Sequence, residues 1–129
     1  MAVTIISILR VFNFNFFFVC FGVNQGVESA NCPGFTRAFE YNAPTLTVVK
    51  RTLADGLAVP VVGYNAFVTA APLIDKMLVV QEEWIALAIL RLVEEDKCVV
   101  EGAGASALAA ILAGLVPELR GKKYDSPLF

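Results

Sequence analysis

The sequence predicts an α/β fold, a partial three-layer parallel sheet with helices on both faces. Three observations carry that expectation. After Gly26, apolar runs of strand length and of helix length alternate. Turn residues separate them. The chain is also unusually apolar for 129 residues, at 57% hydrophobic residues and a mean hydropathy of +0.69. Strands that alternate with helices pair in parallel and need cover on both faces, which accounts for the apolar content.

The chain divides into residues 1–25, a Phe-rich apolar segment, 26–123, the α/β part, and 124–129, a tail. Residues 1–23 have the length of a membrane span or signal segment. Their composition argues against that: Phe12, Phe14, Phe16, Phe17, Phe18 and Phe21 crowd one window, Asn13 and Asn15 interrupt it, and no Lys or Arg cluster precedes it. The other reading is non-native or disordered sequence, such as a mis-spliced stretch. From Gly26, turns at NCPG, NAP and GYN mark element boundaries. Residues 36–41 read as a brief helix, and 45–50 as β-rich behind Pro44. Residues 66–75 read as helical until Pro72 ends or kinks them.

Residues 77–80 are a compact strand, and Gln81-Glu82-Glu83 puts carboxylates at the positive start of the next helix. That helix, from Trp84, is apolar on every face, so it should pack on several sides before Arg91 and the EEDK run return it to solvent. A further strand at Cys98-Val99-Val100 leads into EGAGAS. There Leu108, Ile111, Leu112 and Leu115 follow at helical spacing until Pro117 and Gly121.

Several function classes fall away on composition. A net charge of −2 and a pI near 5.0 give no basic footprint for nucleic acid. The chain has no histidine, which removes triads with a His base, most zinc sites and the usual neutral-pH proton shuttle. Cys20, Cys32 and Cys98 are odd in number and far apart, so they fit reduced thiols in a cytoplasmic protein.

Three motifs hold most of the chemical signal. In VVEGAGAS, small residues open a helix and let a backbone or ligand come close, while exposed N–H groups favour anions. Tight helix–sheet packing is the plainer account of those glycines. Glu101 is harder to set aside, because a carboxylate between an apolar strand and an apolar helix is costly unless paired or functional. The Asp-Gly of TLADG is a turn or an acid in a cleft. GVESAN ends an apolar approach in Glu28 and a polar loop, as at the carboxyl end of a strand where open sheets bind ligands. A solvated loop acid would look the same.

In order, GVESAN, TLADGLAVP, DKMLVVQEE and VVEGAGAS resemble the second half of the large domain of serine/threonine dehydratases and serine racemases, fold-type II pyridoxal-phosphate enzymes. The likeness runs from Gly26 to Lys123, and Met1-Ala2-Val3-Thr4-Ile5 is similar to the family helix after its glycine-rich phosphate loop. The Phe-rich run stands where the family has a short connection. The resemblance implies pyridoxal phosphate as cofactor, held on a lysine, and ammonia-lyase or racemase chemistry on hydroxy-amino acids. It implies that Asp55 and Gly56 border the cleft and that Glu101 lies near the cofactor ring. It matches Glu28, the Cys32 carbonyl and Asn65 to a divalent-cation site that would suit Mg²⁺ or Ca²⁺, although Gly34 stands where those members carry an acid.

The same resemblance assigns no catalytic residue to this chain. Lys50, Lys76, Lys97, Lys122 and Lys123 do not stand in the family's Schiff-base lysine motif, and the glycine-rich loop and substrate-binding domain lie upstream of the matched part. The expectation is an incomplete copy, inactive alone. The alternatives are a non-catalytic partner of a full-length enzyme, or a protein anchored in a membrane through residues 1–23. Self-association as a homo-oligomer is a further option for the partner.

Overall fold

The computed structural model describes residues 17–20 and 23–119. Its sheet has three strands in the order β1 (Phe17–Cys20), β2 (Val23–Ser29) and β3 (Lys76–Val80). β2 and β3 are parallel, with Val27 opposite Leu78 and Ser29 opposite Val80. That pair is the expected parallel core. β1 lies antiparallel on β2, so the sheet is mixed. Only two residues separate β1 from β2, and a link that short permits a hairpin but no parallel crossover.

Strand side chains alternate between the two faces. On one face Phe35 and Ala38 of α1 (Gly34–Tyr41) meet Phe67 and Ala70 of α2 (Tyr64–Ala70), with Met77 of β3 packed against them. Phe35, Phe39 and Phe67 form a triangle of tilted and edge-on rings with centroids 5.6 to 6.2 Å apart. On the other face Val27, Leu78 and Val80 pack with α3 (Glu82–Glu94) and α4 (Gly102–Leu112) through Ile85, Ala88, Leu92 and a run of alanines. Helices therefore cover both faces, as the alternation predicts. No helix of the described residues is long and apolar enough to cross a membrane. The membrane reading of residues 1–23 and the non-native reading of residues 1–25 fall outside the described part, except for residues 17–20 in β1 and 23–25 in β2.

Four local expectations change. The helix expected at 36–41 starts two residues earlier, at Gly34. α2 spans Tyr64–Ala70 and passes into a 3₁₀ turn at Ala71–Leu73 that contains Pro72, so the proline ends the α-helix early. Residues 45–50 form no strand, although their composition favours one. Thr47 N–H donates to Pro60 and Lys50 N–H to Asn31, two separate partners with no ladder, and Leu46 and Val48 stand 74% and 79% exposed. β-propensity measures fit to a half-buried pleated surface, and this segment has none. Cys98-Val99-Val100 is likewise irregular, entered through a positive φ at Lys97, with Val99 94% exposed.

The faces of α3 are also less covered than expected. Ile85, Ala88 and Leu92 are buried, but Leu87, Leu90 and Val93 stay exposed, three residues apart along one side of the helix.

Candidate functional site

The carboxyl ends of β2 and β3 and the start of α3 form one rim of the sheet, where open α/β sheets place ligands. Glu82, the first residue of α3, organises it. Its Oε1 accepts the Ser29 hydroxyl at 2.5 Å and the Thr52 hydroxyl at 2.7 Å, and its Oε2 accepts Leu53 N–H at 2.7 Å. Burial would raise this carboxyl, but the hydrogen bonds from Ser29, Thr52 and Leu53 outweigh it and hold the group below its ordinary range. Thr52 also accepts Ala54 N–H at 3.1 Å, which starts the 3₁₀ turn at Asp55–Leu57.

The TLADG loop then runs over the start of α4. A Cβ placed on Gly102 would stand 2.0 Å from the Leu53 carbonyl oxygen and 2.4 Å from its carbon, so only glycine admits this crossing. One residue along α4, the Ala103 side chain lies 3.2 Å from the Cβ position of Gly56, and the Glu101 Oε1 lies 3.7 Å from it. Glu101 is the N-cap residue of α4 and is exposed. Asp55 is exposed too, its Oδ1 accepting the N–H of Gly56 at 2.9 Å. The structure thus brings Asp55 and Gly56, expected to border the cleft, beside Glu101, expected near the cofactor ring. Of the glycines of EGAGAS, Gly102 admits a tight crossing of the Leu53 backbone, a loop and not the sheet, while a Cβ on Gly104 would meet the Val100 side chain.

The residues matched to a cation lie elsewhere. Glu28 points to the opposite face from Ser29, is 2% exposed, and accepts Phe35 N–H at 2.6 Å, Thr36 N–H at 2.9 Å and the Thr36 hydroxyl at 2.9 Å. It therefore caps α1, whose own N-cap residue, Pro33, offers no side-chain acceptor. Burial pushes the Glu28 carboxyl up against these hydrogen bonds, and burial followed by the charge of Glu28 pushes the Cys32 thiol up. The Cys32 thiol points to the Val59 carbonyl at 3.4 Å. Asn65 is exposed in the first turn of α2, with its carbonyl accepting the Thr69 hydroxyl. Among the described residues no group of three His, Cys, Asp or Glu side chains is placed to hold a metal ion.

Sequence reasoning missed Glu82, Ser29, Thr52 and Leu53 as a unit. In sequence Glu82 reads as charge at a helix start, and Ser29 and Thr52 lie inside motifs marked by their acids and glycines.

The profile of the family described as pyridoxal-phosphate dependent enzyme matches residues 22–124. The chain belongs to that family. It is 44% identical over 97 residues to the L-threonine ammonia-lyase of Geobacter sulfurreducens, which covers 75% of this chain and 24% of that protein. It is 41% identical over 98 residues to the L-threonine ammonia-lyase of Thermotoga maritima, 76% of this chain and 24% of that one. The chain thus spans about a quarter of the length of these relatives. Among solved structures it is similar to the processed form of threonine deaminase isoform 2 from Solanum lycopersicum, with TM-score 0.68 and 29% identity over 78% of this chain and 29% of that one. It is also similar to the serine racemase of Dictyostelium discoideum, with TM-score 0.60 and 28% identity over 68% of this chain and 27% of that one. Both the family and the fold class therefore agree with the resemblance carried by the four motifs.

Proposed function

We propose that this chain supplies one wall of a pyridoxal-phosphate site of the L-serine/L-threonine ammonia-lyase or serine racemase kind, and that these 129 residues alone do not turn over. The observation that carries the reading is the meeting of two motifs: Gly56 of TLADG lies against Glu101 and Ala103 of EGAGAS, beside the carboxyl rim of the sheet. The relatives' identities point to the same chemistry.

The donor set fits part of such a cofactor site. Gly56 is exposed and brings no side chain of its own to the surface, and the exposed Glu101 carboxylate beside it offers a ring an acceptor. When bound, the cofactor supplies an electron sink for the amino acid's α-carbon. The chain's own share is to flank the ring with Asp55 and Gly56 and to orient it through Glu101. The covalent anchor does not fit. Lys76 and Lys97 donate to the Leu115 and Glu94 carbonyls, Lys50 is exposed, and none of the five lysines stands in the family's lysine motif. No cation enters this reading.

The test is an absorbance titration of the purified chain with pyridoxal phosphate, alongside ammonia release from L-serine and L-threonine. The expected result is no band at about 410–420 nm after dialysis and no ammonia. A stoichiometric band would mean that a lysine here takes the anchoring role, and turnover would sink the inactive reading.

A second reading, a non-catalytic partner of a full-length enzyme, draws support from the exposed Leu87, Leu90 and Val93 on α3. Co-purification with such an enzyme is its expected outcome, and a well-behaved monomer argues against it.

A further inference from the structure

We propose that Glu82 is a positioning residue for the cofactor wall, clamping the Thr52–Gly56 loop to the rim of the sheet so that Gly56 stays against Glu101. This rests on the reading that Asp55, Gly56 and Glu101 flank the cofactor. Glu82 itself bonds Ser29, Thr52 and Leu53, and so acts on the wall through its neighbours.

The bonding pattern makes it a clamp between distant segments. Its partners lie 53, 30 and 29 residues away in sequence, at the end of β2 and in the loop, while Glu82 belongs to the start of α3. The two hydroxyls it accepts are 3.1 Å from each other, and Ser29 Oγ further accepts Asn31 N–H at 3.0 Å. A carboxylate is an acceptor on every lone pair, so one ionised group satisfies two hydroxyls and one N–H at once. The last of these N–H groups belongs to Leu53, whose carbonyl crosses Gly102 with no spare room. Any drift of Leu53 therefore moves the loop relative to α4, and with it the contact between Gly56 and Glu101. The turn between them is short: Leu57 N–H donates to Ala54 at 2.9 Å, and Ala58 N–H to Asp55 at 3.0 Å.

Site-resolved amide hydrogen exchange on the full 129-residue chain, without cofactor, tests the clamp. In Glu82→Ala, the amides of Leu53, Ala54 and Leu57 should exchange about tenfold faster than in the parent chain, while those of Phe67 and Ala113 follow only the global change. Glu82→Gln should bring the loop back to within about threefold of the parent, because its amide oxygen still accepts Leu53 N–H while the hydroxyls turn to accept from its nitrogen. Should the alanine variant not fold, Thr52→Ala removes one donor and should give the same loop-selective pattern at about threefold. Equal acceleration everywhere, no acceleration in the loop, or a glutamine variant no better than alanine would overturn the proposal. Since exchange is read with no cofactor present, its failure is separate from failure of the cofactor reading, which the titration above addresses.

Discussion

The two faces of the sheet each place one glutamate at the carboxyl end of the strands, and the two behave in opposite ways. Glu28 serves a helix that begins six residues after it, taking the backbone N–H groups of Phe35 and Thr36. Glu82 serves two segments, the end of β2 and the Thr52–Leu53 loop, that the chain brings from 29 to 53 residues away. Burial dominates at Glu28 and pushes it up, whereas the donors dominate at Glu82 and pull it down. The surroundings match this division. Around Glu28 the core is aromatic and tightly interlocked, whereas the loop that Glu82 holds meets the start of α4 through Ala54, Gly102 and Ala103, which let backbones approach but hold little by shape. Where side chains are too small to interlock, a charged clamp does the locating.

The heaviest blow to the glycine-rich face would be Gly102→Ala. Its Cβ would fall 2.0 Å from the Leu53 carbonyl oxygen, a backbone atom that cannot swing aside. The expected loss is about 3 kcal/mol or more, at the upper end of overpacking effects, and urea unfolding followed by circular dichroism measures it. A loss under about 1 kcal/mol would mean that the loop slides freely over α4, and the contrast between the two faces would fail.

On the aromatic face, Glu28→Ala should cost about 2–3 kcal/mol, because it leaves the N–H groups at the start of α1 without their acceptor. Exchange should accelerate in α1 and spare the TLADG loop. Acceleration in the loop instead would show that the two carboxylates act as one unit.

How much of this was legible in the sequence depends on what each feature rests on. The β3–α3 junction was plain, since Met77 to Val80 is apolar and Gln81-Glu82-Glu83 marks a helix start. The spacing of Leu108, Ile111 and Leu112 likewise gave α4. Residues 45–50 and 98–100 have strand-forming composition but form no strand, because they find no partner edge, and only tertiary context supplies one. The family resemblance implies one cofactor site for Asp55, Gly56 and Glu101, but their contact is seen only in the structure, because no periodicity relates positions so far apart. The capping role of Glu28 is hidden for the same reason: the helix it serves has Pro33 as its N-cap residue, and the missing acceptor comes from a strand.

A smaller effect should separate the carboxylates by pH. Glu82 is held below its ordinary value of 4.5 in the folded chain, so its contribution is present above about pH 4.5 and is lost as pH falls through the lower folded value. The urea midpoint of the parent chain should therefore exceed that of Glu82→Gln by a constant amount near neutral pH, and the gap should close as pH falls below 4.5. A gap that does not change with pH would show that the hydroxyls and Leu53 N–H bond the neutral side chain equally well.

The smallest effect expected is none, from added Mg²⁺ or Ca²⁺. To ligate a cation, Glu28 would have to leave the N–H groups of Phe35 and Thr36, and α1 has no other side-chain cap to take its place. The exchange sets ion–carboxylate attraction against an unsatisfied, buried helix start. A site with a dissociation constant of about 1 mM would add about 1.4 kcal/mol of stability at about 10 mM ion. Thermal unfolding at matched ionic strength should instead give the same midpoint with and without the ion. A rise that Glu28→Gln abolishes would place a cation at Glu28, and the carboxylate that now closes a helix would become a ligand.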